Sequence, residues 1–249
     1  MYIIIIIIIW SLGKVPRKWK RGLIIKIPKK GNLRECKNWR GVTLLSVVSK
    51  ILGRIVIDRI RMGFDCRFRK EQAGFRSGRG TTEQIFTLRN ILEQVNEWQA
   101  TLYINFVDFE KSYDSVHRNG LCMIMNQYGI PQKIINIVTG LYDGFECAVV
   151  KEDATSEWFE LTTGVKQGCT MPGFLFLLII DSVIRNTVKE EGAGLRWKFT
   201  SKLEDLDFAD DVALISSTQS HVQLKTNRLV ENAQIKGKAF GQMSGSAKS

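Results

Sequence analysis

The stretch "LEDLDFADDVALISS", residues 203–217, places two adjacent carboxylates inside an apolar pattern. The alternation around Leu206 and Val212 is typical of buried β-strands, yet Asp210 and Asp211 stand between them. An unpaired charge is costly to bury. Either the two aspartates lie in a turn that faces water, or a positive group meets them, and the rest of the chain must distinguish these alternatives.

Charge is distributed unevenly along the 249 residues, of which 44% are hydrophobic. The net charge is +11. Residues 1–80 hold about 20 Lys and Arg against about 4 Asp and Glu, roughly +16, which leaves roughly −5 for the remainder. A basic front half joined to an acidic back half indicates a polyanionic partner held near a carboxylate site. A merely solvated basic surface is the alternative interpretation.

The cysteines and the chain start exclude several classes of protein. The five cysteines form no CxxC pair and the chain has two histidines, which argues against a structural zinc site and a disulfide framework and favours a reducing compartment. The opening "YIIIIIIIW" is far shorter than the ~20 residues that span a bilayer and lacks the basic start and cleavage site of a signal peptide. We therefore expect an intracellular protein, neither secreted nor membrane-bound, and give the low-complexity residues 1–13 no function.

Helical and strand patterns alternate along the rest of the chain, which predicts an α+β fold. Apolar spacing predicts a helix within residues 44–60, and a second helix beginning near Thr81 with Thr81 and Gln84 as a capping box. "CAVVKE" and "WFELTTGV" predict antiparallel strands, and "MPGFLFLLIIDSVIRNTV" predicts a mostly buried helix. After about Gln234 the apolar periodicity is lost, so we expect a disordered tail.

A third carboxylate, Asp108, ends the apolar strand "YINFVD" much as Asp210 ends "LDFAD". If these two strands are neighbours in one sheet, their carboxylates meet at one edge. Clustered carboxylates repel one another unless a divalent ion neutralises them, and Mg²⁺ prefers such hard oxygen ligands. A pair of ions about 4 Å apart could then promote an in-line displacement at phosphorus.

At this point the motifs resemble a known family. "FVDFEKSYDSVHR", "TTGVKQGCTMPGFLF" and "LDFADDVALISS" are similar, in order and spacing, to the palm motifs of reverse transcriptases. "IPKKGNLRECKNWRGVTLLSVVSKIL" and "EQAGFRSGRGTTEQIFTLRNILEQ" resemble the fingers segments of the non-LTR, LINE-like branch. The resemblance covers roughly residues 10–235. It implies fingers over 14–100, a palm with an antiparallel sheet backed by helices over 101–235, and a tail over 236–249.

The resemblance assigns roles to matching positions. It implies catalysis by Asp108, Asp210 and Asp211, which with the Phe109 carbonyl would hold two Mg²⁺ ions, with Mn²⁺ as an alternative. It makes Tyr113 a steric gate against ribonucleotides, with an ordinary core tyrosine as the alternative. The other residues implied to contact the incoming nucleotide are Gln167, Arg40, Lys29 and Lys30. Those implied to contact nucleic acid are Arg76, Arg79, Gly164 and Gly168, the glycines by close backbone approach.

The implied partners are an RNA template, a DNA primer and dNTPs, without a small-molecule cofactor, in a nuclear or cytoplasmic ribonucleoprotein. Two departures from the family pattern stand out. Ser112 occupies a position that is usually alanine, and "ENAQIKGKAFGQMSGSAKS" resembles no part of the thumb that follows the family's palm, so we expect the thumb to be missing. Two functions therefore compete: an RNA-directed DNA polymerase, or an inactive remnant that retains the fold and nucleic-acid binding.

Overall fold

The computed structural model describes residues 2–109, 112–151, 154–166, 168, 170–188, 194–198 and 201–235. Its helices are α1 (Tyr2–Leu12), α2 (Val47–Phe64), α3 (Thr81–Glu97), α4 (Arg118–Gln127), α5 (Gln132–Tyr142), α6 (Thr170–Thr187) and α7 (Gln219–Ile235). Its strands are β1 (Arg21–Pro28), β2 (Trp39–Leu45), β3 (Tyr103–Val107), β4 (Glu146–Lys151), β5 (Ala154–Thr155), β6 (Phe159–Glu160), β7 (Leu195–Lys198), β8 (Ser201–Leu203), β9 (Asp205–Phe208) and β10 (Asp211–Ser216). Helices and antiparallel strands mix along the chain, which confirms the predicted α+β class. The predicted tail, residues 236–249, lies outside the described residues.

Two sheets organise the site. The smaller one has the strand order β3-β10-β9 and is antiparallel throughout. The larger has the order β2-β1-β4-β5, with β6 also paired to β4. The predicted antiparallel strands are confirmed, because β4 pairs antiparallel with β6, with Cys147 opposite Phe159. On its other side β4 runs parallel to β1, with Leu23 opposite Ala148. The sheet that begins in the segment predicted as fingers is therefore completed by strands beyond the boundary we placed at residue 100.

Helix α6 is the buried centre of the fold, as its uninterrupted apolar run predicts. Every residue from Phe174 to Ile180 is at most 1% exposed. Helices α2, α4 and α7 all pack against it. The buried face of α2 is formed by Leu52, Val56, Ile57 and Ile60, and Ser46 caps this helix by accepting a hydrogen bond from the Ser49 amide at 3.2 Å.

Helix α3 forms as predicted, but its start differs. Its N-cap is Gly80, with no side-chain hydrogen bond, so the predicted capping box of Thr81 and Gln84 is wrong. Gln84 instead points toward the smaller sheet, donating from Nε2 to the carbonyls of Glu71 at 2.8 Å and Asp207 at 3.3 Å. Only Ile91 of its apolar face is buried.

The N-terminal isoleucine run is a helix that docks on the domain. In α1, Ile9 is 1% exposed within the main core. The Arg59 guanidinium lies 4.1 Å from the centre of the Trp10 ring, and the Lys133 ammonium lies 5.6 Å from it. Within the described part of the chain, no helix is both long and apolar enough to cross a bilayer.

Helix α7 has no counterpart among the predicted elements. Its inward face includes Leu229 and Ala233, but Lys225 occupies the same face and is 2% exposed. The Lys225 ammonium pairs with the Glu204 carboxylate and donates to the carbonyl of Ile215 at 2.7 Å. A lysine at the centre of the buried face interrupts the apolar periodicity by which a helix is recognised.

Three buried aspartates surround one arginine at the base of the smaller sheet. Asp181 of α6, and Asp205 and Asp207 of β9, are at most 1% exposed. All three form ion pairs with Arg69, which lies between α2 and α3. Burial and the charge of Asp205 hold the pKa of Asp207 well above its ordinary value, against the opposing effect of Arg69. We call these four residues the Arg69 cluster.

Arg69→Met should destabilise the protein strongly, because it removes the ion-pair partner of buried Asp205 and Asp207, whereas Asp181 keeps Arg185 at 2.7 Å. Breaking a buried ion pair in this way typically costs about 3–5 kcal/mol. Urea unfolding followed by circular dichroism measures the loss. The matched control is Arg54→Met, whose exposed i,i+4 pair with Asp58 contributes only about 0.3–0.5 kcal/mol. Equal losses in the two variants would show that the cluster does not support the fold.

Candidate active site

The β9–β10 hairpin carries the aspartate doublet at its tip. The strands are joined by the two-residue turn of Ala209 and Asp210, and Asp211 begins β10 opposite Phe208. Ala209 has φ of 58°. This left-handed conformation costs a residue with a Cβ about 1–2 kcal/mol. The predicted turn is confirmed, and contacts outside it must stabilise its conformation.

Asp108 lies beside the doublet because of strand register. It follows β3 directly, and β3 pairs with β10 so that Val107 is opposite Val212. Continuing this register by one residue sets Asp108 opposite Asp211, with Asp210 next to them in the turn. The neighbour of β3 is thus the strand that starts at Asp211, not the strand that leads to Asp210 as we expected. All three carboxylates still share one edge of the sheet.

The three carboxylates repel one another at this edge. Burial raises the pKa of Asp211, and the charges of Asp210 and Asp108 raise it further. This electrostatic coupling is the signature of acidic groups that favour a nearby cation. Asp211 itself is exposed at this edge, and a cation that would offset the repulsion stays a prediction.

The donor set fits a hard divalent ion such as Mg²⁺, since carboxylate oxygens at one edge need positive charge between them. Among the described residues, however, no three His, Cys, Asp or Glu side chains converge closely enough to enclose a metal ion. The carboxylates share an edge without forming a closed cage. Their role as metal ligands stays a prediction.

Ser112 and Tyr113, which follow β3 in the chain, lie on the Asp210 side of the turn. The Ser112 hydroxyl is 2.9 Å from Asp210 Oδ2, to which it donates, and the Ser112 side chain is buried. The ring of Tyr113 stacks on Phe176 of α6 with centroids 4.8 Å apart. Burial and the Asp210 charge raise the pKa of Tyr113, while Arg40 opposes this. Tyr113 therefore lies within electrostatic reach of both Asp210 and Arg40.

The predicted triphosphate residues lie on the β1–β2 hairpin. Arg40 is exposed near the start of β2, opposite Ile27 of β1. Lys29 and Lys30 are exposed in the loop that follows β1, where the Lys29 amide donates to the Asn38 carbonyl at 2.8 Å. The hairpin thus carries all three cations on one element.

The two predicted glycines approach the protein's own backbone closely. A Cβ on Gly164, at φ of 80°, would lie 3.0 Å from the carbonyl oxygen of Asp114. A Cβ on Gly168 would lie 2.0 Å from the carbonyl oxygen of Thr43 in β2. We expected the close approach to be to nucleic acid. In the structure the close approach of both glycines is to the protein's own backbone, and their contact with nucleic acid stays a prediction.

The remaining predicted residues divide into three cases. Arg76 is 5% exposed, pairs with Asp65 at 2.9 Å, and donates to the Arg69 carbonyl at 2.8 Å. Its guanidinium is thus bonded within the protein, and its contact with nucleic acid stays an untested prediction. Arg79 is only partly buried and donates to the Lys70 carbonyl, so its nucleic-acid contact stays a prediction. Gln167 lies outside the described residues.

A groove of about 480 Å³ opens between α3 and the smaller sheet, beside the carboxylates. Asp108 and Asp211 line it together with Ile85, Leu88 and Phe106. The Phe106 side chain is 55% exposed here. The carboxylate edge is therefore open to a ligand from this side.

An antiparallel sheet whose edge gathers three carboxylates, beside an exposed basic hairpin, defines the class of polymerase-like palm folds. A family model described as "Reverse transcriptase (RNA-dependent DNA polymerase)" matches residues 27–240. The chain belongs to the reverse transcriptase family. Enzymes of this family generally use divalent metal ions.

Relatives from non-LTR retrotransposons confirm the predicted branch. The chain is 28% identical over 204 residues to the Retrovirus-related Pol polyprotein from type-1 retrotransposable element R2 of Popillia japonica, covering 82% of this chain and 28% of the relative. It is 24% identical over 217 residues to the RNA-directed DNA polymerase from mobile element jockey of Drosophila melanogaster, covering 84% and 22%. The chain thus spans less than a third of these relatives.

Solved telomerase structures share the fold. Apo telomerase from Candida tropicalis, truncated from its C-terminal domain, superposes with a TM-score of 0.60 at 16% identity, covering 94% of this chain and 51% of that one. The same telomerase in complex with a TWJ fragment of telomeric RNA gives a TM-score of 0.61 at 16% identity, covering 98% and 44%. This likeness confirms the predicted fingers and palm architecture.

Asp211→Asn should stabilise the metal-free protein, because it removes one of three mutually repelling charges. The raised pKa of Asp211 means that its ionisation opposes folding at pH 7. We expect the Tm in EDTA to rise by about 1–3 °C at pH 7. Near pH 3 the folded and unfolded states are both protonated, so the gain should vanish.

Differential scanning fluorimetry at both pH values measures this effect. Asp143→Asn, the same change at an exposed loop position, is the matched control. Excess Mn²⁺ should remove the advantage of Asp211→Asn, since a bound cation reverses the repulsion. A lower Tm for Asp211→Asn than for the wild type in EDTA would contradict the repulsion.

Proposed function

We propose that this chain is the RNA-directed DNA polymerase domain of a non-LTR retrotransposon. The observation that carries the proposal is the placement of Asp108, Asp210 and Asp211 at one edge of the palm sheet in a member of the reverse transcriptase family. In the proposed reaction, the primer 3′-hydroxyl oxygen forms a bond to the α-phosphorus of a dNTP and pyrophosphate leaves.

The metal ligands in this proposal are Asp108 and Asp210, with Asp211 and the carbonyl of Phe109 as further donors. Two Mg²⁺ ions, or Mn²⁺ as an alternative, would lower the pKa of the attacking hydroxyl and neutralise charge on the leaving oxygen. Phe109 is 4% exposed directly after Asp108, so its ring fixes the backbone on which that carboxylate is carried. The Ser112 hydroxyl holds Asp210 from the other side.

The incoming triphosphate would be held by Arg40, whose planar and permanently charged guanidinium suits bidentate phosphate contacts. Lys29 and Lys30 would add positive charge from the adjacent loop. Arg40 lowers the pKa of Tyr113 while Asp210 raises it. This supports the assignment, because Arg40 then acts on the same residue as Asp210. Gln167, which the family resemblance assigns to the incoming nucleotide, is proposed to lie against it.

An RNA template and a DNA primer are the proposed nucleic acids, and an intracellular ribonucleoprotein is the proposed setting. The roughly +16 charge of residues 1–80 supports phosphate binding. Arg79 is proposed to contribute from the loop before α3. The telomerase relative in complex with telomeric RNA is a precedent for this fold beside RNA.

Primer extension tests the proposed activity. The wild type should extend a DNA primer on an RNA template with Mg²⁺ and dNTPs, whereas Asp108→Asn and Asp210→Asn should each lose at least about 10²-fold in rate, because charge stabilisation at phosphorus depends on them. Asp143→Asn, an exposed loop change, should retain wild-type activity. A wild type as slow as Asp210→Asn would favour the inactive-remnant alternative.

Tyr113→Val tests the gate. Its ring is fixed against Phe176, so it can act as a rigid wall against a ribose 2′-hydroxyl. We expect the ratio of kcat/KM for dNTP over rNTP to fall by about 10-fold or more, an energy difference of about 1.4 kcal/mol. Tyr103→Val, the same change on exposed β3, should leave this ratio unaltered. Unchanged discrimination in Tyr113→Val would assign the ring to packing alone.

A further inference from the structure

The segment that precedes α3 is bonded to the turn that carries Asp210. The backbone of residues 71–74 runs alongside β9, with Gln72 paired in parallel to Asp207. The Ala73 amide donates to the Asp207 carbonyl at 3.0 Å, and the Asp207 amide donates to the Glu71 carbonyl at 3.3 Å. This segment therefore adds an isolated parallel β-bridge at the β9 edge of the palm sheet.

One side chain of this segment reaches the turn itself. Gln72 is 0% exposed. Its Oε1 accepts hydrogen bonds from the amide of Gly74 at 2.7 Å and from the amide of Ala209 at 3.1 Å. Ala209 is the residue in the left-handed conformation, immediately before Asp210. A residue with a Cβ leaves that conformation unless surrounding contacts hold it.

Gly74 closes the contact sterically. A Cβ on Gly74 would lie 2.2 Å from the nitrogen of Ala209 and 2.6 Å from its Cα. Such distances are impossible without moving one backbone or the other, so the approach requires glycine. Gln72 and Gly74 thus act on one peptide unit, the first by a hydrogen bond and the second by leaving space.

We propose that Gln72 is a positioning residue for the reaction, which fixes the backbone of Ala209 and thereby the direction of the Asp210 carboxylate. The inference rests on the proposed function for its effect on rate, but not for its effect on the turn. If Ala209 relaxes to a right-handed conformation, the direction of the Asp210 Cα–Cβ bond relative to Asp108 changes. A displacement of about 1 Å at such a site can reduce a rate by ~10²-fold.

Gln72→Met tests this, because it keeps the size of the side chain and removes the acceptor. We expect kcat for primer extension to fall by about 10-fold or more while the KM for dNTP changes by less than about 2-fold, since the basic hairpin is untouched. Hydrogen exchange of the Ala209 amide should become at least about 10-fold faster. Gln132→Met, the same change at an exposed position of α5, is the control.

Gly74→Ala is the second variant, and it displaces the turn without altering Gln72. It should reproduce the fall in kcat and the faster exchange at Ala209. Its matched control is Gly63→Ala in α2, where an added Cβ meets nothing within 4 Å. Unchanged exchange at Ala209 in Gln72→Met would overturn the proposal, as would kcat and KM changing together in proportion to a lowered Tm.

The two proposals fail in different ways. A wild type without primer extension overturns the proposed function, yet the exchange of the Ala209 amide still decides whether Gln72 holds the turn. An active wild type whose kcat survives Gln72→Met overturns the positioning role alone.

Discussion

The ion pairs that three buried aspartates form with Arg69 are the constraint on which the rest of the site depends. Asp181 belongs to the central helix α6, and Asp205 and Asp207 belong to β9, so one guanidinium ties the core to the base of the hairpin. Because the segment after Arg69 then runs along β9, the same connection that supplies the charge also reaches the tip. The carboxylate edge is therefore connected to a buried ion-pair cluster several residues away from it.

Features that depend on neighbouring residues were predictable from the sequence. The alternation on either side of Asp210 predicts two strands and a turn, and the apolar run of α6 predicts a mostly buried helix. Asp108 was found because it ends a strand with the same pattern. The strand order differed from the prediction. The strand beside β3 is β10, which follows the turn, and not β9, which precedes it.

Features that depend on distant partners could not be read in this way. Arg76 lies in a basic, glycine-rich loop of the kind that contacts nucleic acid, but its hydrogen bonds are to nearby carbonyls and a carboxylate of the protein itself. Gly164 has the signature of a close approach, yet only the fold shows that Asp114 is what it approaches. Gln84 fits a capping box by spacing, whereas the carbonyl of Asp207 lies 123 residues away in sequence and is within its reach.

The parallel pairing of β1 with β4 sets the order in which the larger sheet can form while the chain is synthesised at the ribosome. Residues 21–24 of β1 pair with residues 146–149 of β4, and β1 lies between β2 and β4 in the sheet. The nascent β1–β2 hairpin must therefore wait for more than 100 further residues before its open side is covered, which takes roughly 5–20 s at 5–20 residues per second. During that interval an unpaired strand edge with exposed isoleucines is available to other chains.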